Sequence, residues 1–455
     1  MKSLMSGIAI AACAVGLTGG SWALTAGTAL AGAGPTAQQQ ALSFIATTFE
    51  DNQPQVWSPT KQLDYERFAQ RIEAQADHTV PGWKLLMLAR ELAAWFHDQH
   101  ADIIAPPPTL GIPVEFYWAS DGLVAIPVPR SPKGMRLGDE VVRIGNRTVA
   151  SITTMLPEIT SGNTYLQKYF AGKALAYANF LRMLGVVSPG GYVNLEMRRP
   201  GGEIYAVRLK LIPTKLAVTP ASQIAADKFE RRFLLPAGVW SSGKPFFSWR
   251  VNVKHDYGFF WLTQCTPSRA LRNGIRQFFT EVETSGIRNV VIDEQGNPGG
   301  IATVVNTFLA YLPTPGPRGV YTIGSHGGGY YTILHPRSPD VYRGKVYVLM
   351  NWSTESSAVL LADVLQTNDL ATAVGQPTGG PPQPTLNPQT WTVPNTHLTV
   401  VAADLTLDAN GLEQANSPAL YPRIKLPITV QDIQSGVNPV TAWLDSLSKS
   451  PRQSE

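Results

Sequence analysis

The chain reads as a multidomain α/β protein, and three changes of pattern along it say so. Helical spacing dominates residues 32–107, strand and turn signals dominate 108–215, and from 216 to 455 short apolar strands alternate with helix-patterned stretches. Its 455 residues exceed one ordinary core. Apolar residues make up 44% and charged residues 15%, a composition that buries itself.

Residues 1–31 have the build of a targeting segment: MK, then the apolar SGIAIAACAVGL, then TALA with small residues at Ala29 and Ala31. Cleavage after Ala31 is expected, with Ala23 as an earlier end. Gly16, Gly19 and Gly20 break the apolar run, which is too short for the ~20 residues of a membrane span. IAAC at 10–13 also resembles a lipoprotein box, so lipid anchoring at Cys13 stays open. The expected destination is export, periplasmic or extracellular. Cleavage would leave Cys265 as the one cysteine, so the exported chain would have no intrachain disulfide.

In the helical region, Leu85, Ala89, Leu92 and Phe96 make one stripe, and four more residues give His100. The expectation is that His100 continues this buried line and points toward other protein. APPPTLGIP then breaks the helix. Residues 108–215 carry strands in VEFYWASDGLVAIPVP and MRLGDEVVRIGNRTV, and a hairpin in GYVNLEMRRPGGEIYAVRLKLIP that turns at Gly201-Gly202. Residues 155–185 read as an embedded helical insertion. Beyond 216, YGFFWLTQC, RNVVIDEQ, GKVYVLMN and ATAVGQP are strands, while RALRNGIRQFFTEVETSG and SAVLLADVLQTND are helices. Such alternation predicts a largely parallel sheet.

Net charge is only +4, with no basic run interleaved with aromatics, so nucleic acid is not expected as a partner. FHDQH at 96–100 holds two of the seven histidines. His97 and His100 at i, i+3 could both ligate zinc, but no third ligand, HExxH or second His/Cys pair accompanies them. Three later stretches suggest other chemistry. VVIDEQGNPGG runs a strand into Gly299-Gly300, whose N–H groups suit a loop or a donor pair for an oxyanion. KVYVLMNWSTESSAVLLADVLQ ends a strand at Asn351 and sets hydroxyl residues before a helix. A serine there is an N-cap or a nucleophile. ANGLEQANSPALYPRIKLPITVQDI places Glu413 in a loop before an apolar strand.

NPGG after a strand, VLMN-x4-Ser before a helix and then VGQPT together resemble the tail-specific (C-terminal processing) serine protease superfamily, which includes the tricorn proteases. One branch uses a lysine 25 residues after the serine. With Ser356 as nucleophile that position is Pro381, and QPTGGPPQPT contains no lysine. The other branch, of the tricorn and chlamydial protease-like activity factor type, uses Ser–His–Glu with the histidine in a D-x-H-A motif, as in Asp98-Gln99-His100-Ala101.

What the resemblance implies is a crotonase-like α/β catalytic core, a PDZ-like domain over 108–215 and a helical N-terminal part carrying the histidine. GDEVVRIGNRTV and the later hairpin are similar to PDZ segments. It further implies a serine endopeptidase with Ser356 as nucleophile, His100 as base and Glu413 as third member, with N–H groups of Ser357 and of Gly299 or Gly300 as oxyanion donors. No cofactor is required, the partners are protein or peptide substrates, and a homodimer stays open by family resemblance. In WSTESSA, Ser353 and Ser357 compete with Ser356 for the assignment. The second reading is a catalytically silent peptide-binding protein on the same scaffold.

Overall fold

In the computed structural model the residues described are 35–76, 80–128, 130–217, 246–313, 321–325, 328–332, 341–408, 413–414 and 416–447. The targeting segment and Cys13 lie outside them.

The strand Asn289–Asp293 is buried at every position. That fits an uninterrupted apolar run covered on both faces. It lies inside a six-stranded sheet whose order is Phe247–Asn252, Tyr257–Leu262, Asn289–Asp293, Lys345–Met350, Thr372–Gly375 and Ile424–Lys425. The first pair is antiparallel and every later pair parallel. Phe260, Leu262, Val290, Ile292, Val346 and Val348 face the helices Arg269–Thr284, Val304–Leu309 and Ser357–Thr367. Tyr257, Phe259, Val291 and Leu349 face the helix Pro439–Leu447 on the other side. The two sets alternate along the strands, as the pleat requires.

A second sheet is antiparallel. Its long strand Thr399–Asp408 pairs with Thr385–Thr392 on one side, and with Asp102–Ile104 and Tyr321–Ser325 on the other. The helices Ala37–Asn52 and Gly82–Ala94 pack on it and Pro59–Glu73 packs on those two helices, with Leu42, Ile45, Phe49, Leu88 and Leu92 in one core with Val400 and Ala402. The strand that follows His100 is therefore stitched, Asp102 opposite Val401, to a segment some 300 residues away in sequence.

Residues 114–210 form a third, antiparallel sheet: Val114–Trp118, Leu123–Pro127, Glu140–Ile144, Tyr192–Arg198 and Ile204–Lys210, with Arg147–Thr148 on Glu140–Ile144. Its last hairpin turns at Gly202, with φ +86°. The expected insertion is helical at Leu156–Ile159, Thr164–Ala174 and Ala178–Met183. Gly172 lets the middle helix sit on the strand, since a Cβ there would lie 3.2 Å from the Phe116 carbonyl oxygen. Ile428 and Ile433 of the C-terminal segment pack against Val124 and Ile126.

One expectation fails here. Leu85, Ala89, Leu92 and Phe96 are buried as a stripe, but the helix ends at Ala94 and His97 takes φ +50°, so His100 does not continue it. Left-handed backbone stops a helix, and something other than helical phase must aim the imidazole.

Candidate active site

The strand Lys345–Met350 and its neighbour Asn289–Asp293 both end at the same edge of the parallel sheet, the edge where open α/β sheets bind ligands. Two loops interlock there. The Asn351 Oδ1 accepts the N–H of Gly296 at 3.2 Å, the N–H of Ser353 at 3.1 Å and the Ser353 hydroxyl at 2.9 Å. The Thr354 hydroxyl donates to the Glu294 carbonyl at 2.9 Å, and the Glu355 N–H to that of Asn297, also at 2.9 Å.

Out of this bracing comes Ser356, at φ +52° and ψ −125°, immediately before the helix Ser357–Thr367. A non-glycine residue in such a conformation costs on the order of 1–3 kcal/mol and persists only where its surroundings impose it. A strained strand-to-helix turn is how a nucleophilic serine is held clear of its own backbone. The cap reading fails on geometry, because the Ser356 side chain caps nothing. Its rivals are occupied: Ser353 Oγ donates to Asn351, and Ser357 Oγ to the Gly300 carbonyl at 2.8 Å.

Gly299, at φ +91°, runs against the nucleophile. A Cβ at that position would lie 2.5 Å from Ser356 Cβ and 2.8 Å from the Ser357 nitrogen, so only glycine fits. Its own N–H donates to Asn297 Oδ1 at 2.9 Å. The N–H groups of Gly300 and Ser357 make no hydrogen bond among the described residues. Of the three sequence-derived oxyanion candidates, Gly300 and Ser357 have donors to offer and Gly299 has spent its own.

His100 arrives through its neighbour. Gln99 Oε1 accepts the Ser356 N–H at 3.3 Å, which brings the 98–100 segment to the nucleophile. No hydrogen bond joins His100 to Ser356 Oγ among the described residues; such contacts are often long before substrate tightens them. The His100 Nδ1 lies 3.2 Å from Thr385 Oγ1 and 3.9 Å from Asp98 Oδ1. The buried Asp98 also accepts the His100 N–H at 2.8 Å and the Gln55 amide at 2.6 Å. Ser161 Oγ holds the turn by donating to the Asp98 carbonyl at 2.6 Å and accepting the Asp98 N–H at 3.1 Å. Burial lowers the His100 pKa below the ordinary imidazole value, against the opposing pull of Asp98 and Thr385.

Glu413 is not brought to His100. Its N–H donates to Thr367 Oγ1 at 3.1 Å and its carboxylate pairs with Arg423 at 3.1 Å, half-exposed. Thr367 is the last residue of the helix that Ser356 begins. Eleven residues of helix are about 16 Å. The loop expected to return to the imidazole instead closes on the helix C-terminus, because the Arg423 guanidinium sits there, bound to Asp369 and to the Gln366 carbonyl. The carboxylate beside Nδ1 is Asp98.

Two further residues belong to the site, and a third adjoins the nucleophile in the chain. Thr385 and Gln99 touch the base and the nucleophile. Glu355 sits next to Ser356, and burial, against the opposing charge of Lys173 and helped by that of Asp102, pushes its pKa up to about 8. Thr385 left no signal in the sequence, being 285 residues from its partner. Gln99 lay inside the D-x-H motif as its unassigned middle residue. Asp293 and Glu294, fully buried below the oxyanion loop, are both raised well above the carboxylate range by burial. Among the described residues no group of His, Cys, Asp and Glu could hold a metal ion.

The model of Peptidase family S41 matches residues 258–405, a span that holds the glycine pair and Ser356 but neither His100 nor Glu413. No curated protein matches the chain in sequence. Among solved structures, mature CPAF complexed with lactacystin superposes with a TM-score of 0.66 at 17% identity, covering 91% of this chain and 97% of that one. A second structure of mature CPAF gives the same values. At that identity the likeness is one of fold, over almost the whole length of both chains.

Proposed function

We propose, since this chain is a serine peptidase of the S41, tail-specific type, that it is an exported endopeptidase acting through Ser356 and His100. The observation that carries the reading is the strained, uncapped Ser356 among serines whose hydroxyls are engaged. Ser356 Oγ attacks a peptide carbonyl while His100 Nε2 takes its proton. Nδ1–H is the tautomer that Thr385 and Asp98 favour, both lying on that side of the ring. The tetrahedral oxyanion faces the N–H groups of Ser357 and Gly300, at the N-terminus of a helix whose dipole favours negative charge. The protonated His100 gives its proton to the leaving amine, and water, activated by the same base, releases the acyl group. Export rests on the pattern of residues 1–31. The test is a fluorophosphonate probe: it should label the wild type and leave Ser356→Ala unlabelled, and equal labelling of both would remove the assignment.

The pH profile should be lopsided. His100 is held below the ordinary ~6.5 by burial, so the neutral base persists into mildly acidic solution and the acid limb should fall below that value. Glu355 is neutral below about 8 and anionic above it. A negative charge beside Ser356 opposes the developing oxyanion, so the rate should decline above about 8. Glu355→Gln should remove that decline and leave the acid limb in place. Initial rates on an unfolded protein from pH 4 to 10 decide it; an alkaline limb unchanged in Glu355→Gln clears Glu355 of the role.

A further inference from the structure

Gln99 meets the nucleophile with one end of its amide and offers the other end to nothing. Its Oε1 accepts the Ser356 N–H at 3.3 Å. A backbone N–H can only donate, so this contact fixes which end of the amide is oxygen and which is the donor. The Nε2 is buried and has no hydrogen-bond partner. Leaving a buried donor unsatisfied costs free energy, and native structures keep few such groups. The side chain is also pinned, since a Cβ at Gly380 would collide with Gln99 Oε1. Gly380 is itself held by its neighbours: the Gly379 N–H donates to the Thr354 carbonyl at 3.0 Å and the Thr378 hydroxyl to the Gly380 carbonyl at 2.6 Å. The donor is thus clamped between two loops, one of which carries the nucleophile.

We propose that Gln99 is a third oxyanion donor, its Nε2–H bonding the scissile carbonyl oxygen as that oxygen gains charge on attack by Ser356. This rests on the serine-peptidase reading above and adds a side-chain donor to the backbone pair at Gly300 and Ser357. Side-chain amides serve this purpose when their orientation is set before the reaction. No proton is transferred to or from Gln99; the contact lengthens again when the tetrahedral intermediate collapses.

The experiment uses the full chain and two variants. Gln99→Glu keeps an acceptor for the Ser356 N–H and removes the donor. Gln99→Met keeps the bulk and removes both. Steady-state rates on a peptide substrate are measured at the pH optimum of each protein, with thermal unfolding as the control for fold. Both variants should lose about 10²–10³ in kcat with KM within a few-fold, the loss expected for one such donor. Affinity for a peptide aldehyde, which forms the tetrahedral adduct, should drop in parallel. A purely positioning role gives a different split, with Gln99→Glu active and Gln99→Met dead, and overturns the proposal. So does higher kcat in Gln99→Met, which would mean that Oε1 blocks the Ser356 N–H in the free enzyme. A wild type that neither hydrolyses nor labels with fluorophosphonate refutes the peptidase reading itself; an active wild type with unaffected variants refutes only the role of Gln99.

Discussion

Ser356→Ala should lose about 10⁶ in turnover on an unfolded protein substrate, the scale on which a triad loses its nucleophile. Thermal unfolding should hardly move. The hydroxyl makes no cap bond, and the backbone strain at φ +52° stays when serine becomes alanine. The informative control is Ser357→Ala. That hydroxyl donates to the Gly300 carbonyl, so its removal should cost about 1 kcal/mol of stability and loosen the oxyanion loop, with activity reduced but present. Hydrolysis and unfolding measured on both variants separate nucleophile from brace. A dead Ser357→Ala beside an active Ser356→Ala would shift the whole register by one residue.

The strand-to-helix turn at Ser356 was legible because it depends on local chemistry. A strand ending at Asn351, a run of hydroxyls and a helix are adjacent in sequence, and so are the glycines after the strand Asn289–Asp293. The parallel sheet was legible for the same reason, since alternating short strands and helices leave few other architectures. The aim of the imidazole was not. The stripe from Leu85 to Phe96 is buried as expected, yet a left-handed His97 ends its phase. What orients His100 is Thr385, delivered by the pairing of Thr385–Thr392 with the long strand Thr399–Asp408, which also pairs with the strand after His100. Strand pairing over such a separation has no periodic signature. Glu413 shows the same difficulty from the other side: the family resemblance implied it as third member, while its ion pair with Arg423, a local contact, ties it to the far end of the helix.

The carboxylate that matters should therefore be Asp98. Asp98→Asn keeps the size of the side chain, and its oxygen can still accept the His100 N–H that Asp98 Oδ1 receives at 2.8 Å. It removes the charge 3.9 Å from Nδ1. In the serine-protease template the equivalent amide swap lowers turnover by about 10⁴, through the wrong tautomer and a less stable imidazolium. Here Thr385 shares the task of holding Nδ1, so the loss should lie between about 10² and 10⁴. The acid limb should move with it: Asp98 raises the His100 pKa, so without that charge the imidazole protonates at still lower pH and the limb shifts down. A loss of turnover with an unmoved acid limb would mean that Asp98 acts through the turn it builds with Ser161 and Gln55 and not through its charge. Glu413→Gln removes a half-exposed ion pair with Arg423, worth about 0–1 kcal/mol of stability, and its turnover should stay within a few-fold of wild type. Rates for the two variants, each with its pH profile, decide between the carboxylates. If Glu413→Gln were the crippled enzyme, the loop around Glu413 would have to leave the Arg423 pair and cross the length of the nucleophile helix to reach His100 during catalysis.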